Sequence, residues 1–163
     1  MDTRESIVFA VALLGALVIA FVLVFPPVAV VDPGEYNSTT ITLHDDDMTV
    51  ATVDARIADT KEKRRVGLKR TASLENDSGM LFVHPRDGTY SYHMQNVSFD
   101  IDIIFVDANG TITTVHHASA PDAGADSDTY TGRGRYVLEV PRGFANRSGI
   151  GVGDEVRIPP IDT

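Results

Sequence analysis

The stretch 101-IDIIFVDANGTITTVH-116 decides the fold. Two runs of β-branched and apolar residues flank Ala108-Asn109-Gly110. Asn-Gly is the dipeptide that most readily supplies the positive φ angles of a tight hairpin turn. A hairpin is therefore predicted, with strands over Ile101–Asp107 and Thr111–His116. Along the first strand, Ile101, Ile103 and Phe105 share one face, and Asp102 shares the other with Ile104 and Val106. Asp102 is expected to be partly buried, and a buried carboxylate needs a partner or a raised pKa.

Working outward, Thr39–Leu43 and Met48–Ile57 alternate like strands and are parted by Asp45-Asp46-Asp47. Asp59 or Thr60 can cap a helix over Lys61–Arg70. Gly79–Val83 reads as a short strand with Thr89–Met94 as its partner. Residues 117–134 (HASAPDAGADSDTYTGRG) read as a long acidic, Gly-rich loop. Arg135–Val140 is a strand, Pro141–Ser148 a short helix before Gly149, and Glu155–Ile158 a closing strand. About eight short strands with one or two helices imply an α+β, mostly β domain. Its expected architecture is a small curled antiparallel sheet or barrel.

The chain has 163 residues and a formal net charge of −9. Acidic residues are mostly Asp, and lysine occurs only at Lys61, Lys63 and Lys69. A domain this acidic repels phosphate backbones, which argues against nucleic acid as a partner. Abundant carboxylates with few lysines suit concentrated salt, where the Debye length shrinks to about 3 Å at 1 M and self-repulsion is screened. Cysteine is absent, so disulfides, thiolate metal sites and a Cys nucleophile are excluded.

Residues 7–25 (IVFAVALLGALVIAFVLVF) carry no charge and would span about 28 Å as a helix. Fourteen of these positions are Ile, Val, Leu or Phe. They favour membrane insertion by about 4–8 kcal/mol. Pro26-Pro27 end the span. The expected organisation is an N-terminal tail (1–6), a transmembrane signal anchor (7–25) in contact with membrane lipid, a linker (26–38) and a soluble domain (39–163). A cleaved signal peptide is the competing reading. It normally has a shorter apolar core and a small-x-small cleavage site, which residues 27–31 lack. Arg4 and the free amine lie before the span. The next cation is Arg56, so the weak charge bias points the domain outward.

All five asparagines, Asn37, Asn76, Asn96, Asn109 and Asn146, sit in Asn-x-Ser/Thr without an intervening proline. With Ser plus Thr at about 15% of the chain, chance agreement is on the order of one in ten thousand. The set points to export and to glycan acceptors in surface loops, although Ser and Thr also cluster with Asn in ordinary turns.

Three ordered blocks carry a resemblance. The first runs from Ala58-Asp59-Thr60 through Gly67-Leu68, Arg70-Thr71 and Leu74 to Gly79-Met80-Leu81-Phe82. The second is Met94-Gln95-Asn96 with Ile101–Asp107 and Gly110. The third is Val137–Pro141, Gly143, Gly149-Ile150 and Gly153-Asp154. Together they resemble the DUF192 domain over roughly residues 50–158. That family has no established function. The resemblance implies a compact β-rich domain, often exported or anchored. His93-Met94-Gln95-Asn96 departs from the family's usual Trp-Met-Lys-Asn. Ala118–Asp128 lacks the Cys that members often carry there.

The candidate ligand-binding residues are His93, Gln95, Asn96 and Asp102. A structural acid, a turn asparagine and a surface histidine are the bland readings of Asp102, Asn96 and His93. His116-His117 with Asp122, Asp126 and Asp128 could suggest a metal, but adjacent strand residues point to opposite faces. No metal or cofactor is expected. Lys61, Lys63, Arg64, Arg65, Lys69 and Arg70 make the one basic patch, which reads as a solvated helix or a contact for an acidic partner or anionic headgroups. No nucleophile elbow, phosphate loop or zinc signature occurs. The function expected first is an extracytoplasmic binding or accessory module. An envelope hydrolase using Asp102 with Glu139 or His93 is the alternative, and a structural envelope protein the third.

Overall fold

The structure is a computed structural model that describes residues 34–122 and 124–161. These residues belong to one compact unit, Asp32–Thr163. The predicted span at 7–25, the tail and most of the linker lie outside the described residues. Among the described residues no helix is long and apolar enough to cross a membrane.

Seven strands form one curled sheet. They are β1 (Ser38–Asp45), β2 (Met48–Ala58), β3 (Ser78–His93), β4 (Ile101–Val106), β5 (Ile112–Ala118), β6 (Thr129–Pro141) and β7 (Glu155–Arg157). Their order is β5-β4-β6-β3-β2-β1-β7. Thr111 bridges Glu155, and Val156 N–H donates to Gly110 O at 2.7 Å. The two ends of the sheet thus meet, giving a half-barrel. The β4–β5 hairpin forms, but of the Asn-Gly pair only Gly110 takes a positive φ, 92°; Asp107 Oδ1 accepts from the N–H groups of Asn109 and Thr111.

The sheet is mixed, not antiparallel, and it has seven strands rather than eight. β2 and β3 are parallel, with Asp54 opposite Ser78 and Ala58 opposite Phe82. Parallel neighbours need a crossover of about a dozen residues or more, usually helical. Here it is α1 (Lys61–Val66) and a following 3-10 turn (Gly67–Arg70). Thr60 caps α1 through Oγ1, which accepts from Lys63 N–H at 3.1 Å. Gly79–Val83 and Thr89–Met94 are not hairpin partners. They are the two halves of β3, and both pair with β6. His84-Pro85-Arg86-Asp87 between them has turn chemistry, but it forms a bulge at the Val83/Gly88 register shift and the chain does not reverse. The acidic loop is also shorter than expected. β5 runs on to Ala118, opposite Ile101 of β4, and β6 begins at Thr129, opposite His93 at the end of the long strand β3.

Apolar side chains fill both faces. One cluster, including Ile41, Leu43, Ile104, Val106, Leu138 and Val140, lies within the curl and is plugged by α2 (Phe144–Ser148) through Phe144 and Ala145. The other, including Met80, Phe82, Ile103, Phe105 and Val137, receives Leu68 of the 3-10 turn. The alternation read along 101–106 therefore holds, and all six β4 residues are buried. Gly132 of β6 must lack a side chain because the Phe105 ring occupies the place of its Cβ.

Candidate functional site

Position 139 belongs to the central strand β6. Its neighbours are Met80 on β3 and Ile103 on β4. Val137, Leu138 and Val140 around it are wholly buried, so a carboxyl group enters an apolar layer. Glu139 is only 6% exposed. Among the described residues its side chain has no hydrogen bond or ion pair. Burial alone pushes its pKa from 4.5 up to about 8, so it holds its proton at neutral pH.

Glu139 lines a cavity of about 360 Å³ between the α1 crossover and the outer half of β3. Phe82, Leu68 and Val97 give it an apolar wall. His84 and Tyr90 stack at 3.5 Å on one side. His84 Nε2 and the Tyr92 hydroxyl form a 2.9 Å hydrogen bond. Burial first, and Arg64 second, hold the His84 pKa down to about 4, so this imidazole is neutral. Burial also raises the pKa of the Tyr92 hydroxyl, with Glu139 adding to the rise. The interior is thus a set of uncharged hydrogen-bonding groups. The mouth is different: Lys61, Arg64, Arg65 and Lys69 line it. Arg64 is part of the wall, since its Nη1 donates to the carbonyls of Asp59 and Val83. A cationic mouth on a chain of net charge −9 focuses anions.

The sequence-predicted site residues do not come together. His93 lines this cavity. Gln95 and Asn96 are exposed on the turn after β3, and Asn96 adopts φ 64°. Asp102 is fully buried and lies elsewhere. Its Oδ1 meets His117 Nδ1 at 2.7 Å, and its Oδ2 accepts the Ala145 N–H at 3.0 Å. Arg142 Nε stands 3.9 Å from it. Asp102 therefore ties β4 to β5 and to α2. His116 points the other way, to Thr131 O at 2.9 Å, as adjacent strand residues must. Among the described residues no three His, Asp or Glu side chains are grouped to hold a metal. The five sequon asparagines are all exposed.

The sequence does not group His84 with Tyr90 and Tyr92, because HPRDG reads as a turn that separates them. Arg64 reads in the sequence as one member of the basic patch over 61–70, with nothing that marks it as a wall residue. The signal for Glu139 was its setting in Val-Leu-Glu-Val-Pro, a carboxyl group in an otherwise apolar strand.

Residues 41–158 match the profile of the family designated DUF192 and described as an uncharacterised ACR. The chain is a DUF192 protein. The match starts in β1, earlier than residue 50, and ends just beyond β7. No curated protein matches the chain. A crystal structure from Sinorhizobium meliloti 1021, provisionally described as a transcription regulator, is similar to this DUF192 chain. Its TM-score is 0.68 and its identity 25%, covering 76% of this chain and 95% of that one. A protein of unknown function from Novosphingobium aromaticivorans DSM 12444 is similar at TM-score 0.66 and 22% identity. That likeness covers 78% of this chain and 96% of the other, and shows the fold alone.

Proposed function

We propose that this DUF192 protein is a membrane-anchored module that holds a small-molecule binding domain outside the cell in concentrated salt, and that the cavity over Glu139 is its binding site. The observation that carries the reading is the buried, unpartnered carboxyl group at the wall of a concave, partly apolar cavity. Its oxygens open on the cavity, where the polar group of an incoming ligand can pair with them. The apolar run at 7–25 supports the anchor. The charge bias and the five exposed sequon asparagines support the outward placement. The excess of Asp over Lys supports salt adaptation.

A hydrolase built on Asp102 lacks support, because that carboxylate is sealed against backbone and His117. Glu139 and His93 do line one cavity, and a carboxylic acid protonated near neutrality is a suitable general acid. A purely structural envelope role has no use for the cavity.

Ser91 is exposed and lines the cavity, so Ser91→Trp should fill it without disturbing the core. Purified full-length protein is mixed with a small-molecule extract in concentrated salt, and retained compounds are identified by mass spectrometry. A compound held by the wild type and lost from S91W, at unchanged Tm, is the expected result. No retained compound, or equal retention by S91W, overturns the reading. Release of a retained compound in cleaved form replaces binding with hydrolysis.

A further inference from the structure

The two ends of the Glu139 cavity have different chemistry, and together they select a ligand. At the mouth, Lys61 and Arg65 are exposed and have no carboxylate partner among the described residues. Lys69 Nζ donates to Arg65 O at 3.1 Å, which leaves its charge at the same rim. At the inner wall, Glu139 has a carboxyl proton to donate and no acceptor. Between them, the stacked His84 and Tyr90 rings and the side chains of Phe82 and Val97 offer apolar faces.

A cation is repelled at the mouth. An inorganic anion pairs with the lysines and Arg65 but leaves Glu139 without an acceptor. A neutral sugar reaches Glu139 but leaves the cations unpaired. An organic acid with hydroxyl groups on a ring satisfies both ends, and the C–H face of such a ring suits an aromatic wall. A cavity of about 360 Å³ is at the small end for ligand sites, which limits the occupant to about one ring.

We infer that the cavity takes a small hydroxylated organic acid of the sugar-acid class, its carboxylate at Lys61 and Arg65 and a hydroxyl oxygen accepting from Glu139. This rests on the cavity being the binding site.

The test is calorimetric titration of the detergent-solubilised full chain with D-glucuronate, D-glucose and inorganic phosphate. Glucuronate is expected to bind at least tenfold more tightly than either of the others. K61A/R65A should weaken glucuronate at least tenfold and leave glucose unchanged; both positions are exposed, so folding is not at issue. The charged and titratable groups facing Glu139 are Tyr92, His84 and His93 from β3 and Lys61, Arg64, Arg65 and Lys69 from the crossover. Glu139 itself has a pKa of about 8. Wild-type affinity should therefore drop about tenfold between about pH 7 and about pH 9, while Glu139→Gln, which keeps a donor, holds its affinity across that range. Phosphate binding as tightly as glucuronate reduces the site to a simple anion site and overturns the inference. Glucose binding as tightly does the same, as does an unchanged K61A/R65A. If glucuronate fails while S91W still blocks another captured compound, the ligand class is wrong and the cavity reading stands. If nothing binds, the cavity reading fails with it.

Discussion

Replacing Asp102 with alanine is expected to destabilise the domain by about 2–4 kcal/mol. The carboxylate has no exposure and accepts from Ala145 N–H in the first turn of α2. Without it, that buried N–H loses its acceptor, His117 loses its partner, and a small void opens between β4 and α2. For a domain of about 130 residues this corresponds to a Tm lower by roughly 7–15 °C. Asp102→Asn should cost much less, since an amide can still accept from Ala145. His117→Ala should cost about 1 kcal/mol, because the His117 side chain is 39% exposed and water replaces its bond. The ordering D102A, then D102N, then H117A is checked by thermal unfolding in concentrated salt. Equal Tm values for D102A and wild type would show that Asp102 is not the tie between sheet and helix. D102N should also keep any ligand binding, because Asp102 does not line the cavity.

The second large effect concerns Glu139 and pH. Its folded pKa of about 8 lies above the ordinary 4.5, so between these values the folded state holds a proton that the unfolded chain has released. Stability from this group is present in full below about pH 4.5 and is lost as pH rises to about 8. The loss is on the order of 5 kcal/mol, taking ~1.4 kcal/mol per pH unit between those two values. Glu139→Gln cannot ionise and removes this dependence. Urea unfolding of both proteins at about pH 5 and about pH 9 isolates the term, since their other carboxylates are identical. The gap between E139Q and wild type should widen in favour of the variant at the higher pH. A constant gap would mean that Glu139 titrates as an ordinary surface carboxylate.

Local rules read correctly wherever a local cause decided the outcome. Asn109-Gly110 forms its turn, Thr60 caps its helix, and the alternation at 101–106 matches the two apolar clusters. The parallel pairing of β2 with β3 was not legible, because nothing in Met48–Ala58 or Ser78–Val83 records which neighbour a strand takes. That choice is made by the α1 crossover, whose helical pattern is visible in the sequence while the direction of the strand after it is not. The β3 bulge was illegible for a related reason. His84–Gly88 has the composition of a reversal, and only the long unbroken partner β6 keeps the chain going forward.

The same bulge hid the site. Splitting β3 placed His84 apart from Tyr90 and Tyr92, which the continuous strand brings into contact. Asp102 interrupts an apolar strand, and so does Glu139. The two differ in what surrounds them. Asp102 lies beside the first turn of a helix and a histidine, and its oxygens are used. Glu139 lies mid-sheet under a crossover that leaves a gap, and its oxygens are not. Sequence periodicity locates a carboxyl group in a buried layer, but it does not supply the partner.

The protonated state of Glu139 is the physical basis of the proposed site, and it can be observed directly. Carbon-13 NMR titration of the side-chain carboxyl groups, with Glu139→Gln to assign the resonance, reports its midpoint in the folded protein. A midpoint near 8 is predicted. A midpoint near the ordinary 4.5 would contradict a buried neutral acid at the cavity wall, and the ligand chemistry drawn from it.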